Sequence, residues 1–292
     1  MTTAFMKAVD ERAAAALASG ALQPIQAEQI EITDGGLPFM VRWLASLAAK
    51  DEAKPAVMPG GPRDPDFNPF LSPEPALTVG PFGDHHVAIL NKFPVCDRHL
   101  VLARREFQEQ RLPLAYEDFW VLASLLSESG GLGFYNGGAP AGASQRHKHV
   151  QWLPAAPGNA SLDPLIAHLP ADAPELSLAE HGVLPVRHVF ARVLAQRTAD
   201  VEASAASMSR AYDLACAKLG LEPDEEGLMP PCNLLVQNGW MLLVPRRQEH
   251  SYEVSVNALA FAGALYVRHP DQVGPIRKAG PLAVLAEASW AR

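Results

Sequence analysis

Asn136-Gly-Gly-Ala-Pro-Ala-Gly-Ala-Ser-Gln-Arg-His-Lys-His-Val-Gln-Trp-Leu-Pro154 is the stretch around which the chain is organised. A loop of small residues runs into His147-Lys-His149-Val-Gln151, and Val150-Gln-Trp-Leu153 continues it with the residue types of a strand. Side chains in a strand alternate between faces, so His147, His149 and Gln151 are expected to share one face. Just upstream, Ser144 and Gln145 carry donors, while Gly142 and Ala143 belong to a loop whose small residues let backbone come close to a ligand. The pattern predicts a phosphate cradle with an imidazole aimed into it, supplied with donors by loop amides, Asn136, Ser144 and Gln145.

Such a cradle asks for little more chemistry. A neutral imidazole can attack phosphorus and form a phosphoramidate, dividing one hard displacement into two easier ones. Phosphoryl-type transfer otherwise rests on positioning and charge stabilisation. Gln151 stands where a third histidine would relay protons and help water finish the reaction. Its amide can bond phosphate oxygens but cannot titrate. His149 is therefore read as nucleophile, His147 as its support and Gln151 as a donor, in an arrangement that favours transfer over hydrolysis. Two other readings stand beside this one. His149 can be a strand histidine with a satisfied hydrogen bond, and a histidine pair at i and i+2 can chelate a metal, although no Cys or acid lies close by in sequence.

Working outward, residues 3–19 predict a surface helix and residues 30–32 a short strand. Residues 53–81 are rich in proline and read as an extended connection. Strands are expected at 86–90, 99–103, 133–136 and 147–153. Tyr116–Ser129 is expected to be a helix, with Phe119, Leu122 and Leu126 on one face and Gly130-Gly131 as its stop. Residues 154–184 lack a steady period and look like a linker or insertion. A strand at 186–194 and an amphipathic helix from Val201 to the stop at Gly220 follow. Asn238-Gly239 between two apolar runs predicts a tight hairpin, and the apolar run 258–267 is expected to be a buried helix. Strands, a helix, more strands and late helices predict an α+β fold, an antiparallel sheet with helices segregated from it.

A length of 292 residues suits one large or two modest domains, and 48% apolar content supports a real core. The formal charge of -8 argues against general binding to nucleic acid or an anionic membrane, while leaving room for a local basic pocket. Cys96, Cys216 and Cys232 show neither close pairing nor zinc spacing and read as reduced core thiols. The N-terminal residues carry acids before their apolar run, so no signal peptide is expected, and the apolar run at 258–267 is too short to span a bilayer. A cytoplasmic protein is expected.

His147-x-His149-x-Gln151 resembles the transferase branch of the histidine-triad superfamily, and Gly142-Ala-Ser-Gln-Arg-His-Lys-His-Val-Gln151 is similar to its diadenosine tetraphosphate (Ap4A) phosphorylases, also called ATP adenylyltransferases. Asn68-Pro-Phe70, Leu90-Asn-Lys-Phe-Pro94, His99-Leu-Val-Leu-Ala103 and Phe107-Gln-Glu-Gln110 follow that family's order upstream. Asn233-Leu-Leu-Val236, Trp240-Met-Leu-Leu-Val-Pro-Arg246 and Ser255-Val-Asn-Ala-Leu-Ala-Phe-Ala-Gly263 follow it downstream. Several blocks in order are far more specific than one motif.

The resemblance implies a histidine-triad-like antiparallel sheet with flanking helices in a catalytic domain, 1–183, and a smaller C-terminal domain, 184–292. It implies reversible phosphorolysis of Ap4A to ATP and ADP through an adenylyl-histidine, with Ap4A, phosphate, ATP and ADP as partners. A divalent cation such as Mg2+ is allowed as a companion of the nucleotide, and the oligomeric state is left open. Substrate contacts carried over by position are Lys54, Asn91, Lys92, Asn257, Ala258, Leu259 and Arg268. Arg268 stands where the family often has Lys, and Ala264 where a bulkier residue is common. Lys54 can equally be a solvated charge, Asn91 and Lys92 a turn, and Arg246-Arg247 either a phosphate clamp or a surface pair. His85, His86, His99 and His250 read as structural. The alternatives to the phosphorylase are a galactose-1-phosphate uridylyltransferase-type enzyme and a non-catalytic nucleotide-binding sensor.

Overall fold

The computed structural model describes residues 3–24, 27–44, 68–194 and 200–292. Its strands, in chain order, are β1 (Ala27–Asp34), β2 (Leu37–Leu44), β3 (Thr78–Phe82), β4 (His86–Leu90), β5 (Leu100–Arg104), β6 (Leu132–Gly137), β7 (His149–Leu153), β8 (Leu178–Ala179), β9 (Val189–Arg192), β10 (Cys232–Gln237), β11 (Trp240–Pro245), β12 (His250–Ser251), β13 (Val254–Ser255) and β14 (Ala264–Val267). The helices are α1 (Ala4–Ser19), α2 (Tyr116–Ser129), α3 (Asp163–Ile166), α4 (Val201–Leu219), α5 (Ala258–Phe261), α6 (Val273–Ala279) and α7 (Pro281–Ala288).

One nine-stranded sheet, ordered β3-β4-β5-β7-β6-β10-β11-β9-β8, dominates the molecule. All its pairings are antiparallel. The expected boundary at residue 183 falls between β8 and β9, which pair within this sheet, and β10 pairs directly with β6. A smaller sheet, β1-β2-β14, joins a β1–β2 hairpin to a parallel partner from the C-terminal stretch.

Alternation along each strand divides the interior in two. Val150 and Trp152 of β7, Leu234 and Val236 of β10, and Met241 and Leu243 of β11 point into one core with Phe119 and Leu122 of α2 and Met208 and Tyr212 of α4. Their neighbours Leu153, Phe134, Leu235, Leu242 and Val244 point the other way, toward Phe39 and Val41 of β2, Leu265 of β14 and Leu285 of α7. The architecture is helices on one face of the large sheet, and the small sheet with short helices on the other.

Local chemistry places the elements. Asp200 caps α4 by accepting the Ala203 N–H at 2.6 Å, and Gly220 closes that helix in the left-handed region at φ 62. Asn238 and Gly239 turn the β10–β11 hairpin with positive φ at both positions, as a two-residue turn of this kind requires. The apolar run 258–267 is not one helix: α5 ends at Phe261, Gly263 takes φ 80 against the Pro38 carbonyl, and β14 begins. An all-apolar run carries no period to separate helix from strand, which is why the two were merged. Residues 154–184 are not a free linker either. Leu162, Leu165 and Leu169 are buried in the second core, and the Leu162 N–H donates to Gln237 Oε1 at 2.7 Å. β2, β3, α6 and α7 were not expected from the sequence.

Candidate active site

His149 opens β7 and is only 4% exposed. Its Nδ1 lies 2.8 Å from the backbone carbonyl of His147. A carbonyl only accepts, so Nδ1 carries the proton and Nε2 carries the free lone pair. Burial pushes the His149 pKa down to about 4, outweighing that hydrogen bond, so the ring is neutral at pH 7. Phe70 lies against the same ring with centroids 5.0 Å apart, and meets the His147 ring edge-on at 5.8 Å. Both rings therefore share a face, as expected. His147 itself stands before β7, in an isolated bridge to Glu109. Its Nε2 donates to the Arg104 carbonyl at 2.7 Å and its Nδ1 lies 3.1 Å from Asn68 Oδ1. Its backbone oxygen holds the His149 ring.

Gln110, which carries no role in the sequence beyond its place in Phe107-Gln-Glu-Gln110, stands between Asn136 and His149. β6 and β7 pair as far as Phe134 with Gln151, and the same register carried two residues further would oppose Asn136 and His149. Gln110 intervenes there. Its Oε1 accepts the His149 N–H at 2.8 Å, and its Nε2 donates to the carbonyls of Asn136 at 2.8 Å and His149 at 3.1 Å. The amide thus replaces a rung of the ladder and holds two strands apart without leaving their polar groups unpaired. Residues opposed across an antiparallel register share a face, so Asn136, His149 and Gln151 lie on the same face of the sheet.

The two flanking amides are each held by the oxygen. Gln151 Oε1 accepts from His99 Nε2 at 2.9 Å, and Asn91 Nδ2 lies 3.3 Å from His99 Nδ1. Burial drives the His99 pKa down to about 4, against the raising effect of its bond to Gln151. A neutral His99 donating from Nε2 leaves the Gln151 NH2 group as the outward donor. His99, expected to be structural, holds the Gln151 oxygen. Asn136 Oδ1 accepts from Asn233 Nδ2 at 2.8 Å and from the Ala258 N–H at 2.9 Å, which likewise turns its NH2 group outward.

Several expected contacts are reassigned. The Ala141, Gly142 and Ala143 amides bond within the loop, so among its amides those of Ser144 and Gln145 remain for an anion. Gly142, at φ 85, admits Asn257 and Val256 rather than a ligand: a Cβ there would meet Asn257 Cβ at 2.7 Å. Ala258 and Leu259 are buried, with their N–H groups committed to Asn136 and Asn257. They organise the site from behind. Asn257 caps α5 beside the loop. Lys92 pairs at the surface with Glu74, 3.0 Å away, and must exchange partners to meet a polyphosphate. Arg268 is exposed at the end of β14, and its backbone N–H is held by Gln272. Lys54 lies outside the described residues. Arg246 is no phosphate clamp but a buried anchor.

Beneath the cradle, on the opposite face of β7, Lys148 meets Asp118, which also accepts from His86 at 2.9 Å and Arg104 at 2.8 Å. Burial alone would raise the Asp118 pKa, but His86, Lys148 and Arg104 hold it well below the usual carboxylate range. The cluster ties β4, β5, α2 and the residue preceding β7 together beside His149. Among the described residues no three His, Cys, Asp or Glu side chains gather as a metal site, and no helix is long and apolar enough to cross a membrane. The three cysteines are free thiols.

Comparison with known proteins covers the whole chain. Residues 1–169 match the model of the Ap4A phosphorylase N-terminal domain, and residues 182–291 that of the ATP adenylyltransferase C-terminal domain. Protein APA1 of Saccharomyces cerevisiae is 26% identical over 294 residues, covering 90% of this chain and 86% of its own length. Diadenosine 5',5'''-P1,P4-tetraphosphate phosphorylase 2 of the same yeast is 26% identical over 298 residues, covering 91% and 87%. The crystal structure of yeast Ap4A phosphorylase Apa2 with AMP superposes with a TM-score of 0.80 at 20% identity, covering 98% of this chain and 96% of that one. The structure of Apa2 with Ap4A gives 0.78 at 20% identity, covering 100% and 99%.

Proposed function

This chain belongs to the Ap4A phosphorylase (ATP adenylyltransferase) family of nucleotidyltransferases, and we propose from that premise that it phosphorolyses Ap4A through an adenylyl group carried on His149. The relatives named for this activity support the substrate. One observation carries the mechanism: the His147 carbonyl accepts a hydrogen bond from Nδ1–H, which fixes the proton there and leaves a buried, neutral imidazole with its Nε2 lone pair open.

In the first step Nε2 forms a bond to the α-phosphorus while the bond from that phosphorus to the β-bridging oxygen breaks, and ATP leaves. The imidazole becomes positively charged, and the Nδ1–H to carbonyl bond strengthens as it does so. In the second step an oxygen of inorganic phosphate attacks the same phosphorus, the nitrogen–phosphorus bond breaks, and ADP leaves with His149 restored. The NH2 groups of Gln151 and Asn136, with the Ser144 and Gln145 amides, supply neutral donors to the oxygens that gain charge. No titratable group occupies the Gln151 position to deprotonate water. Phosphate already carries negative charge and needs little help, so it is the favoured acceptor. A divalent cation would enter as a companion of the polyphosphate.

Product analysis tests this reading. With Ap4A and saturating phosphate the protein should yield ATP and ADP in equal amounts, and little AMP when phosphate is withheld. AMP as the main product at saturating phosphate would make it a hydrolase.

A further inference from the structure

Arg246 is 2% exposed and, among the described residues, makes hydrogen bonds only to neutral acceptors: Nε to the Ala288 carbonyl at the end of α7, Nη2 to the Gln248 carbonyl at 2.9 Å, and Nη1 to Asn233 Oδ1. A buried cation bonded to an amide fixes which end of that amide is which, because only the oxygen can accept. Asn233 is wholly buried and lies directly across the β6–β10 pair from Asn136. With its oxygen held by Arg246, its NH2 group must point at Asn136 Oδ1, 2.8 Å away, and at the Ala141 carbonyl, 2.9 Å away. Asn136 then has one end left, its own NH2 group, on the sheet face that carries His149 and Gln151.

We propose that Asn233, set by the buried guanidinium of Arg246, is a positioning residue that aims the Asn136 amide as a donor at the α-phosphate. The proposal rests on the nucleotide reading above. It makes the C-terminal stretch part of the phosphate site without touching substrate: Arg246, held by the α7 carbonyl of Ala288, then Asn233 and Asn136 form one directional series that starts at the guanidinium. Each link is a donor to an acceptor, so reversing any one reverses those after it. The Ala258 N–H, also bonded to Asn136 Oδ1, holds the same orientation from α5.

Asn233→Asp tests the direction. The carboxylate keeps the shape and gains a charge-assisted bond to Arg246, but it can only accept. Asn136 would have to turn its NH2 group toward position 233 and show its oxygen to phosphate. AMP and adenosine binding are measured by calorimetry on wild type, Asn233→Asp and Asn233→Ser. The serine variant is too short to hold Asn136, and it keeps the test open if the carboxylate is not tolerated.

Affinity for AMP should fall about tenfold or more in both variants, the scale of one lost donor to a charged group. Adenosine, which lacks the phosphate, should bind as in wild type. Unchanged AMP binding, or equal losses for AMP and adenosine, would overturn the proposal. Wild-type phosphorolysis separates the two claims. A wild type that binds AMP but leaves Ap4A intact defeats the functional reading alone, whereas an active wild type with an indifferent Asn233→Asp defeats the positioning role alone.

Discussion

Burial of His149 behind Phe70 and the His147 carbonyl has a kinetic signature. An ordinary imidazole gains a proton near pH 6.5 and ceases to be a nucleophile below that. His149 is pushed down to about 4 by burial, so its neutral form persists through mildly acidic pH. The pH profile of kcat/KM for Ap4A, which reports the free enzyme up to the first chemical step, should stay level from about pH 8 to about pH 5.5 and fall below about pH 5. An acid limb centred near 6.5 would mean that the nucleophile is not the buried ring. Gln151 makes a second claim at this scale. Gln151→His puts a titratable group beside the intermediate, so the AMP-to-ADP ratio should rise at fixed phosphate. Gln151→Ala removes only a donor and should slow both products. An unchanged ratio in the histidine variant would remove Gln151 from the choice of acceptor.

The element that shapes the site is the interrupted ladder between β6 and β7. Gln110→Leu deletes three hydrogen bonds at once and leaves the His149 N–H without its acceptor. The expected cost is roughly 1–3 kcal/mol of stability, with kcat falling far more than that loss explains if Gln110 sets the spacing of Asn136 and His149 around the proposed phosphate. Urea unfolding beside kcat measures both, and wild-type kcat in a destabilised variant would show the wedge to be structural only. This element also marks what can be read from sequence. α2, α4 and the β10–β11 hairpin were legible because period, caps and the Asn238-Gly239 turn are local signals. His149, Gln151 and Asn136 were legible because one short segment carries them. The roles of Gln110, His99 and Asn233 were not, because the fold brings them in from 39, 52 and 97 positions away from His149, Gln151 and Asn136 respectively. Ala258 and Leu259 were expected by family order to touch substrate; their N–H groups instead bond Asn136 and Asn257.

At the scale of the molecule, the buried histidines govern the response to acid. Burial lowers the pKa of His86, His147, His181 and His188, and takes His99 and His149 down to about 4. Below pH 6.5 the unfolded chain therefore binds more protons than the fold, so stability is full above 6.5 and is lost as pH falls toward 4. At pH 5, His99 and His149 should each withdraw roughly 2 kcal/mol at most. The urea midpoint should be lower at pH 5 than at pH 7, and an equal or higher midpoint would contradict the neutral assignment of these rings.

The central claim for the whole protein is that its two stretches build one site that holds an adenylyl group on one nitrogen. It is tested most directly by mixing the protein with Ap4A without phosphate, denaturing it within the first turnover, and mapping the modified peptide by mass spectrometry. An adenylyl group on His149, absent in His149→Ala and released as ADP when phosphate is added before denaturation, is the predicted result. Turnover with no adduct, or an adduct on any other residue, would contradict it.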